Sequence, residues 1–568
     1  MGKALVFGDD TRSFLATVRS LSRRGIVVDA SPYDFRSPAL SSRYIRSVHR
    51  LPFYLGDARS WATEIRHLLD RERYDLVVPC DERSLLPLNL HRDQFEPEHR
   101  IAIPTSSAVK MLFDKHATRA LAAAVGVPIC PGRPVADRDR PEDVIATFGL
   151  PIIVKPRRSY SIEQLHARAK AMTAYDHDSL ARALAQAVPG RWLIEAYFEG
   201  RGVGVSILAK DGRLLQVFQH YRVHEIEGAS SYRMSAPVDF RFEQACARMV
   251  AELRFTGVAM FEFRSNDENG DWVLLEVNAR PWGSLPLAVA AGVDFPYLWY
   301  RLLVEDVEEP RSAYRTGLFG RNPTGDYHYL AHSLKGSRSR PVKAVRVALG
   351  HSAGYMRWLV GRERSDSLVL DDPRPGLSEY VRLIGSRASA LTVPGTVVLR
   401  RRRAEAVITQ AVRTRKSEPP TLMFVCQGNI CRSPFAEALF AAQRPGSLFR
   451  VRSSSAGTLP VAGRPAPTAA IQVARQFDVS LDHHRSRFLD IIEAEKASLI
   501  IIFDHLNAQG IYRLSPGLRT PVVALGDLLE EPAGIADPNG KDRASFEECY
   551  ALISRGVQRL VNSMNPQP

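Results

Sequence analysis

The sequence predicts a multidomain α/β protein, and three observations carry that reading. Its 568 residues are more than one hydrophobic core usually organises. Over the first hundred residues, short apolar runs alternate with helical patterns, as in a parallel α/β unit. Far downstream, the apolar strand-type run Leu422–Val425 passes through a Gly-containing loop into a helical pattern beginning around Ser433 and Pro434. Proline is tolerated there because the first helical turn does not use its missing N–H.

Taken in order, Lys3–Gly8 reads as a buried strand and Thr11–Arg24 as a helix. Ile26–Ala30, Tyr74–Pro79 and Arg100–Pro104 read as further strands. Gly8 stands alone after the first strand, so no dinucleotide fingerprint is present. From about residue 105 the pattern changes. Residues 306–420 carry no recognisable motif, and Pro419–Pro420 lead directly into the strand at Leu422.

Composition narrows the class. Hydrophobic residues make up 45% and charged residues 24%, as in globular proteins. No run of 18 uncharged apolar residues occurs, so no transmembrane helix is expected. Met1–Asp10 carries acids and lacks an apolar core, so no signal peptide is expected. Cysteines 80, 130, 246, 426, 431 and 549 follow neither a disulfide nor a zinc spacing. Free thiols in a reducing cytoplasm fit that scatter. Net charge is +14, and between Lys335 and Lys416 there are 18 Lys or Arg against 6 Asp or Glu. One segment thus holds nearly all the excess, which argues against specific nucleic-acid binding. Pro341–Arg362 reads as a basic amphipathic helix with Val345, Ala348, Leu349, Ala353, Met356 and Leu359 on its apolar side. Arg400–Arg403 and Arg413–Lys416 flank another apolar stretch. Either a solvated helical linker results, or a contact with an anionic membrane surface or acidic partner over 335–416.

The chemistry concentrates in Cys426-Gln-Gly428-Asn429-Ile-Cys431-Arg432-Ser433-Pro434. A strand–loop–helix junction turns successive backbone N–H groups towards an anion at the helix N-terminus. The same donors, with Arg432, favour the thiolate of Cys426. A thiolate beside a bound phosphate is the starting state for phosphoryl transfer to sulfur. Arg432 is able to hold two phosphate oxygens with its planar fork. Asn429 is placed to brace the loop, and the Ser433 hydroxyl to stabilise Cys426 as a leaving group.

These residues, followed by Ala436-Glu-Ala438, resemble the low-molecular-weight protein tyrosine phosphatases. Ser454–Thr458 is similar to that family's strand and turn after the first helix. His484–Arg487 and Ile501–Asn507 are similar to its later helix-start and strand segments. Asp537-Pro538 falls where the family keeps its general acid. The resemblance covers roughly 421–565 and implies a parallel-sheet domain that needs no cofactor. Its reaction would use Cys426 as nucleophile, Arg432 as clamp and Asp537 as acid. Gly428, Asn429, Cys431 and Ser433 would complete the phosphate loop, and Cys431 is equally a reversible disulfide partner or a core residue. Asn539 stands where many members carry a stacking aromatic, so the substrate is either a phosphorylated protein or a small phosphomonoester. Arsenate reduction is an alternative on the same fold.

A second resemblance covers roughly 1–305. Asp114-Lys115 opening a helix, Pro151-Ile-Ile-Val-Lys155-Pro156, Glu195-Ala-Tyr197-Phe-Glu199-Gly, Phe261-Glu262-Phe and Leu275-Glu276-Val-Asn278-Ala-Arg280 resemble the ATP-grasp superfamily in order and spacing. That implies an α/β pre-ATP-grasp domain over 1–104 and an α+β ATP-grasp domain over 105–305. The basic, partly helical linker would occupy 306–420 and the phosphatase domain 421–565. Lys115 and Lys155 would neutralise ATP phosphates, and the hinge at Glu195 and Tyr197 would read adenine through its backbone. Glu262, Glu276 and Asn278 are hard ligands suited to Mg²⁺. Glu276 and Asn278, two apart on a strand, share a face, and Arg280 would hold an anionic substrate or acyl-phosphate. Unidentified carboxylate and amine substrates complete the implied reaction. Between Lys155 and Gly190 there is no glycine, whereas the family's lid is usually Gly-rich. The expectation is therefore a bifunctional phosphatase and ligase. Its rival is a phosphatase, or arsenate reductase, tethered to a degenerate ATP-grasp domain that only binds nucleotide or a partner. Gln219–His224 and Ser230–Arg233 lie where ligase substrate residues fall, with His220 and His224 otherwise ordinary surface histidines.

Overall fold

The computed structural model describes all residues except 1, 36, 52–53, 55–57, 163–164, 166–167, 227–228, 336–355, 389–393, 414–418, 460–461, 516–517, 530–533 and 565–568. The chain separates into two compact units, Met1–Tyr380 and Val381–Pro568.

The first unit begins with a four-stranded parallel sheet of order β3-β2-β1-β4: β1 Lys3–Phe7, β2 Val27–Ser31, β3 Ser47–Val48 and β4 Leu76–Pro79. Four of the five β1 residues are buried, as in a strand covered on both faces. The helix Ser13–Arg23 follows β1, its N–H groups at Arg12 and Ser13 capped by the Asp10 carboxylate. Arg100–Pro104 forms no strand; Ile101 makes a single parallel bridge to Val77.

A small sheet of order β5-β8-β6-β7 comes next: β5 Gly132–Pro134, β6 Ile152–Pro156, β7 Met172–Ala174 and β8 Trp192–Ala196. The largest sheet runs β13-β12-β9-β10-β11-β14-β15: β9 Arg201–Lys210, β10 Arg213–Ile226, β11 Ala229–Ala236, β12 Gly257–Ser265, β13 Trp272–Asn278, β14 Phe319–Arg321 and β15 Glu363–Ser365. One face packs Val203, Val205, Ile207, Phe261 and Phe263 against the helix Phe240–Glu252. The other packs Leu208, Phe218, Val258 and Met260 against the helices Leu285–Ala291 and Phe295–Glu305. Each fully buried side chain of this kind is worth roughly 1.5–3 kcal/mol.

The stretch expected as a linker supplies β14 and β15 to this sheet. Its charges there are buried ion pairs: Arg321 with Glu363 at 2.6 Å, Arg233 with Asp366 at 2.5 Å, and Arg19 with Asp372 at 2.9 Å. Composition cannot distinguish such pairs from a solvated face. Of the expected amphipathic helix, 341–355 lies outside the described residues, while Met356 and Leu359 are exposed. Among the described residues no single helix is long and apolar enough to cross a membrane; Leu285–Ala291 and Phe295–Glu305 pass such a test only together, bent by 87°.

The second unit holds a parallel sheet of order β17-β16-β18-β19: β16 Thr421–Cys426, β17 Arg452–Gly457, β18 Leu499–Ile502 and β19 Val522–Ala524. The helix Pro394–Arg413, containing Arg400–Arg403, buries Ala404, Ile408 and Ala411 in the same core as Leu422, Phe424 and Phe435. Residues 414–416, the rest of the second basic cluster, lie outside the described residues.

Candidate functional site

In the second unit β16 ends on Cys426, and the helix Arg432–Gln443 starts six residues later. Parallel pairing on both sides of β16 places the intervening loop at the carboxyl end of the sheet, where α/β folds carry their ligands. Asn429 makes the turn with φ 51°, a left-handed conformation in which Asn is one of the few tolerated side chains. Its surroundings hold it there. The Asn429 amide donates to Ser433 Oγ at 2.9 Å and Ser455 Oγ at 3.0 Å, and its side-chain oxygen accepts from the Arg487 N–H at 2.8 Å. The His484 ring nitrogen lies 2.7 Å from the Asn429 carbonyl.

That brace aims the Asn429 N–H at the Cys426 sulfur, 3.2 Å away. Ser433 Oγ lies 3.0 Å from the same sulfur. Because Asn429 donates into Ser433, the serine's own proton is left for the sulfur or for the Ala456 carbonyl at 3.4 Å. Arg432 is 1% exposed. It donates to the Ile535 carbonyl at 2.9 Å, to Asp537 at 2.6 Å and to Asp504. Burial alone would lower its pKa; the charges of Asp537 and Asp504 outweigh burial and hold it above its usual value. The Arg464 guanidinium donates to the Gly428 carbonyl at 2.9 Å. Cys431 is buried, and burial followed by the charge of Asp537 pushes its thiol up. Asn539 is exposed, its N–H on Asp537 at 3.1 Å and its side-chain oxygen 4.0 Å from the Cys431 sulfur.

Sequence reasoning gave Asp504 no role at the site. It caps the helix His505–Leu514, taking the Asn507 N–H on one oxygen at 2.9 Å and Arg432 on the other. The signal was available as Asp-x-x-Asn before a helical run. Tyr550, stacked on Phe435 with centroids 3.8 Å apart, donates to the Cys431 carbonyl at 3.2 Å and fixes the loop from below. His484–Arg487 is irregular chain that braces Asn429, not a helix start. Asp504→Asn should lower the turnover of p-nitrophenyl phosphate by about 10- to 100-fold, since small misplacement of a clamp costs on that scale. Steady-state kinetics on a variant of unchanged melting temperature would check it.

In the first unit β12 and β13 pair Glu262 with Glu276, so both carboxylates share a face with Asn278. The Asn278 amide reaches Glu262 at 3.0 Å and Glu276 at 3.5 Å. Lys115, first residue of a helix capped by Asp114, lies 3.6 Å from Glu276 and 3.0 Å from Ser159 Oγ. Burial opposes ionisation of Glu276, yet Lys115 and Lys155 together hold it below the usual carboxylate range. Burial and the charge of Glu276 raise Glu262 despite Arg222, which sits 2.5 Å from it. Two carboxylates and an amide oxygen suit a hard divalent cation. Among the described residues, no group of three or more His, Cys, Asp or Glu is arranged to hold a metal, so phosphate oxygens would have to complete any shell here.

Lys155 lies 2.7 Å from Glu195 and 3.3 Å from the Leu275 carbonyl. Glu195 is 3% exposed and also pairs with Arg119 at 2.9 Å. It therefore orients Lys155 from within the sheet. The N–H groups of Ala196 and Tyr197 bond to Pro131 and Pro151, and the Tyr197 ring is exposed. Arg280 donates to Glu82 at 3.1 Å and Asn278 at 3.3 Å. His220 is 1% exposed rather than on the surface, while the His224 ring lies 3.1 Å from Asp326 and stacks on Tyr329 at 4.0 Å. After Lys155, Leu165 is buried in a core with Leu5 and Trp61.

Comparison with known proteins gives two family matches. Residues 421–567 match the model described as low molecular weight phosphotyrosine protein phosphatase. Residues 189–319 match the model described as ATP-grasp in the biosynthetic pathway with Ter operon. The chain is 36% identical over 141 residues to the "Probable low molecular weight protein-tyrosine-phosphatase EpsP" of Ralstonia nicotianae, covering 25% of this chain and 93% of that protein. It is 33% identical over 145 residues to the low molecular weight protein-tyrosine-phosphatase Etp of Escherichia coli, covering 26% and 95%. Among solved structures, N5-carboxyaminoimidazole synthetase from Staphylococcus aureus complexed with ADP superposes with a TM-score of 0.44 and 15% identity, over 55% of this chain and 80% of that one.

Proposed function

Since residues 421–567 belong to the low-molecular-weight protein tyrosine phosphatase family and residues 189–319 match an ATP-grasp model, we propose that this chain is a bifunctional enzyme: a cysteine-dependent phosphomonoester hydrolase joined to an ATP-dependent carboxylate–amine ligase. The phosphatase reading rests on the Cys426 sulfur lying against the Asn429 N–H and the Ser433 hydroxyl, with the buried Arg432 opening the next helix and paired with Asp537. Cys426 Sγ attacks phosphorus and the P–O bond to the leaving group breaks, while Asp537 hands its proton to the departing oxygen. Water then attacks the phosphocysteine, Asp537 takes the water's proton, and phosphate departs from the restored thiolate. Arg432 exchanges its two carboxylate partners for phosphate oxygens as the substrate enters. The substrate is a phosphorylated protein or a small phosphomonoester, the latter favoured by exposed Asn539 where an aromatic would stack. Six free thiols, all buried, suit a cytoplasmic setting.

The ligase reading is supported by Lys115 and Lys155 beside the Glu262–Glu276 pair. Glu262, Glu276 and Asn278 would hold Mg²⁺, which screens the charge of the transferred phosphoryl group. Lys115 and Lys155 bind phosphate oxygens, and Arg280 holds the anion of the carboxylate or acyl-phosphate. The competing reading, a domain that binds nucleotide without turnover, is favoured by Arg222 occupying Glu262 and by the glycine-free stretch after Lys155. ADP formation with ATP, Mg²⁺ and a panel of carboxylates and amines decides between them. Substrate-dependent ADP release that falls about 10²-fold or more in Glu276→Gln is expected for a ligase; no ADP with any pair would leave only nucleotide binding.

A further inference from the structure

Six large apolar side chains lie open between residues 356 and 377. Met356, Trp358, Leu359, Val360, Leu370 and Leu377 run from 49% exposed at Trp358 to 95% at Leu370. Among the described residues twenty large hydrophobic side chains are exposed, so nearly a third fall in these 22 positions. Scattered apolar residues on a surface are ordinary, but four within five consecutive positions are not.

This stretch is fixed to the fold. Met356–Leu359 is a helical turn, and it ends at Gly361, whose φ of 69° reverses the chain. The Gly361 N–H donates to the Trp358 carbonyl at 3.1 Å and the Arg362 N–H to the Arg357 carbonyl at 2.8 Å. The Arg362 carbonyl then accepts from the Phe319 N–H at 2.9 Å, where β15 joins β14 at the edge of the large sheet. Arg357 reaches back, donating to the Tyr232 hydroxyl at 3.1 Å and lying over the Phe319 ring at 4.5 Å.

Charge around the turn is sorted by sign. The acids between 356 and 379 are withdrawn: Glu363, Asp366, Asp372 and Glu379 are buried, and Asp371 is held by Arg23 at 2.8 Å and Tyr44 at 2.7 Å. Arg362, Arg364 and Arg374 are exposed and, among the described residues, form no ion pair. Water therefore meets apolar side chains and cations here, and no unpaired carboxylate. The wider sequence has the same sign, with 18 Lys or Arg against 6 Asp or Glu between Lys335 and Lys416.

We propose that Met356–Val360, with Arg362, Arg364 and Arg374, is a peripheral binding surface for an anionic lipid bilayer. Successive residues of a helical turn project about 100° apart, and all five here are exposed. A flat protein face covers one side of such a turn, whereas a bilayer interface surrounds it. Trp358 suits the headgroup level, and Met356, Leu359 and Val360 the acyl boundary below it. The arginine forks match lipid phosphates and supply the attraction to a negative leaflet.

Flotation of the full-length chain with vesicles tests this. Phosphatidylcholine vesicles carrying about one third phosphatidylglycerol should retain the chain about tenfold or more better than phosphatidylcholine alone, and less well as salt rises. Trp358→Ser with Leu359→Ser should lower retention about tenfold or more, with melting temperature and p-nitrophenyl phosphate hydrolysis unchanged. Replacing Arg362, Arg364 and Arg374 by Gln should remove the preference for anionic vesicles. Trp358→Phe should still bind but lose the part of the fluorescence that brominated acyl chains quench in the wild type. Retention of the double serine variant at the wild-type level would overturn the proposal, and so would a wild type that floats with neither vesicle. In that second case, a concentration-dependent dimer abolished by the same double substitution would assign the face to a second copy of this chain.

Discussion

Replacing Cys426 by serine should bring hydrolysis of p-nitrophenyl phosphate by the full-length chain to background, a loss of about 10⁴-fold or more. The substitution changes one atom. Ser433 Oγ and the Asn429 N–H remain to hydrogen-bond the new hydroxyl, and the buried position stays filled. Fold and phosphate binding are therefore expected to persist, checked by melting temperature and by protection with inorganic phosphate. What is lost is the sulfur nucleophile. A serine hydroxyl is far less acidic than a thiol and far less nucleophilic, and the same two hydrogen bonds do not make up that difference. Activity retained within tenfold, with other chain components excluded as its source, would remove Cys426 from the role of nucleophile.

The phosphate loop was legible because all its parts are contiguous. Cys426, Asn429, Arg432 and Ser433 fall within eight residues, and local geometry alone brings them together. The groups that position the loop were not legible as such. Asp504, His484, Arg487 and Tyr550 arrive from the end of β18, from irregular chain and from the last helix. Only folding brings them within hydrogen-bond reach, and each alone reads as an ordinary polar residue. The same holds in the first unit. Spacing placed Glu276 and Asn278 on one face, but the pairing of Glu262 with Arg222, and of Lys155 with Glu195, depends on strand order in sheets.

The stretch 306–420 shows a different limit. The basic excess over 335–416 suggested a solvated linker, yet Arg321, Glu363, Asp366 and Asp372 are each no more than 3% exposed. Buried charges of this kind survive only when paired, and a pair is costly to break from either side. They tie β14 and β15 to β11 and to the helix Ser13–Arg23, so the edge of the large sheet, Arg233 included, depends on chain whose composition suggested a linker.

Asp537→Asn should lower kcat for p-nitrophenyl phosphate by about 10²–10⁴-fold, the usual share of a positioned acid. The loss should depend on the leaving group. With 2,4-dinitrophenyl phosphate the departing phenolate is weakly basic and leaves without a proton, so formation of the phosphocysteine should stay within about tenfold of the wild-type rate. The second step still lacks its base. Dinitrophenol should therefore appear as a burst of one equivalent per enzyme, followed by slow turnover. This pattern separates proton transfer from the other function of Asp537, which is to hold Arg432 at 2.6 Å. Arg432 keeps Asp504 and the Ile535 carbonyl in the variant, so its orientation has two remaining supports. If the carboxylate mattered chiefly for steering Arg432, both substrates would lose activity equally and no burst would appear, because the clamp acts on phosphorus whatever the leaving group.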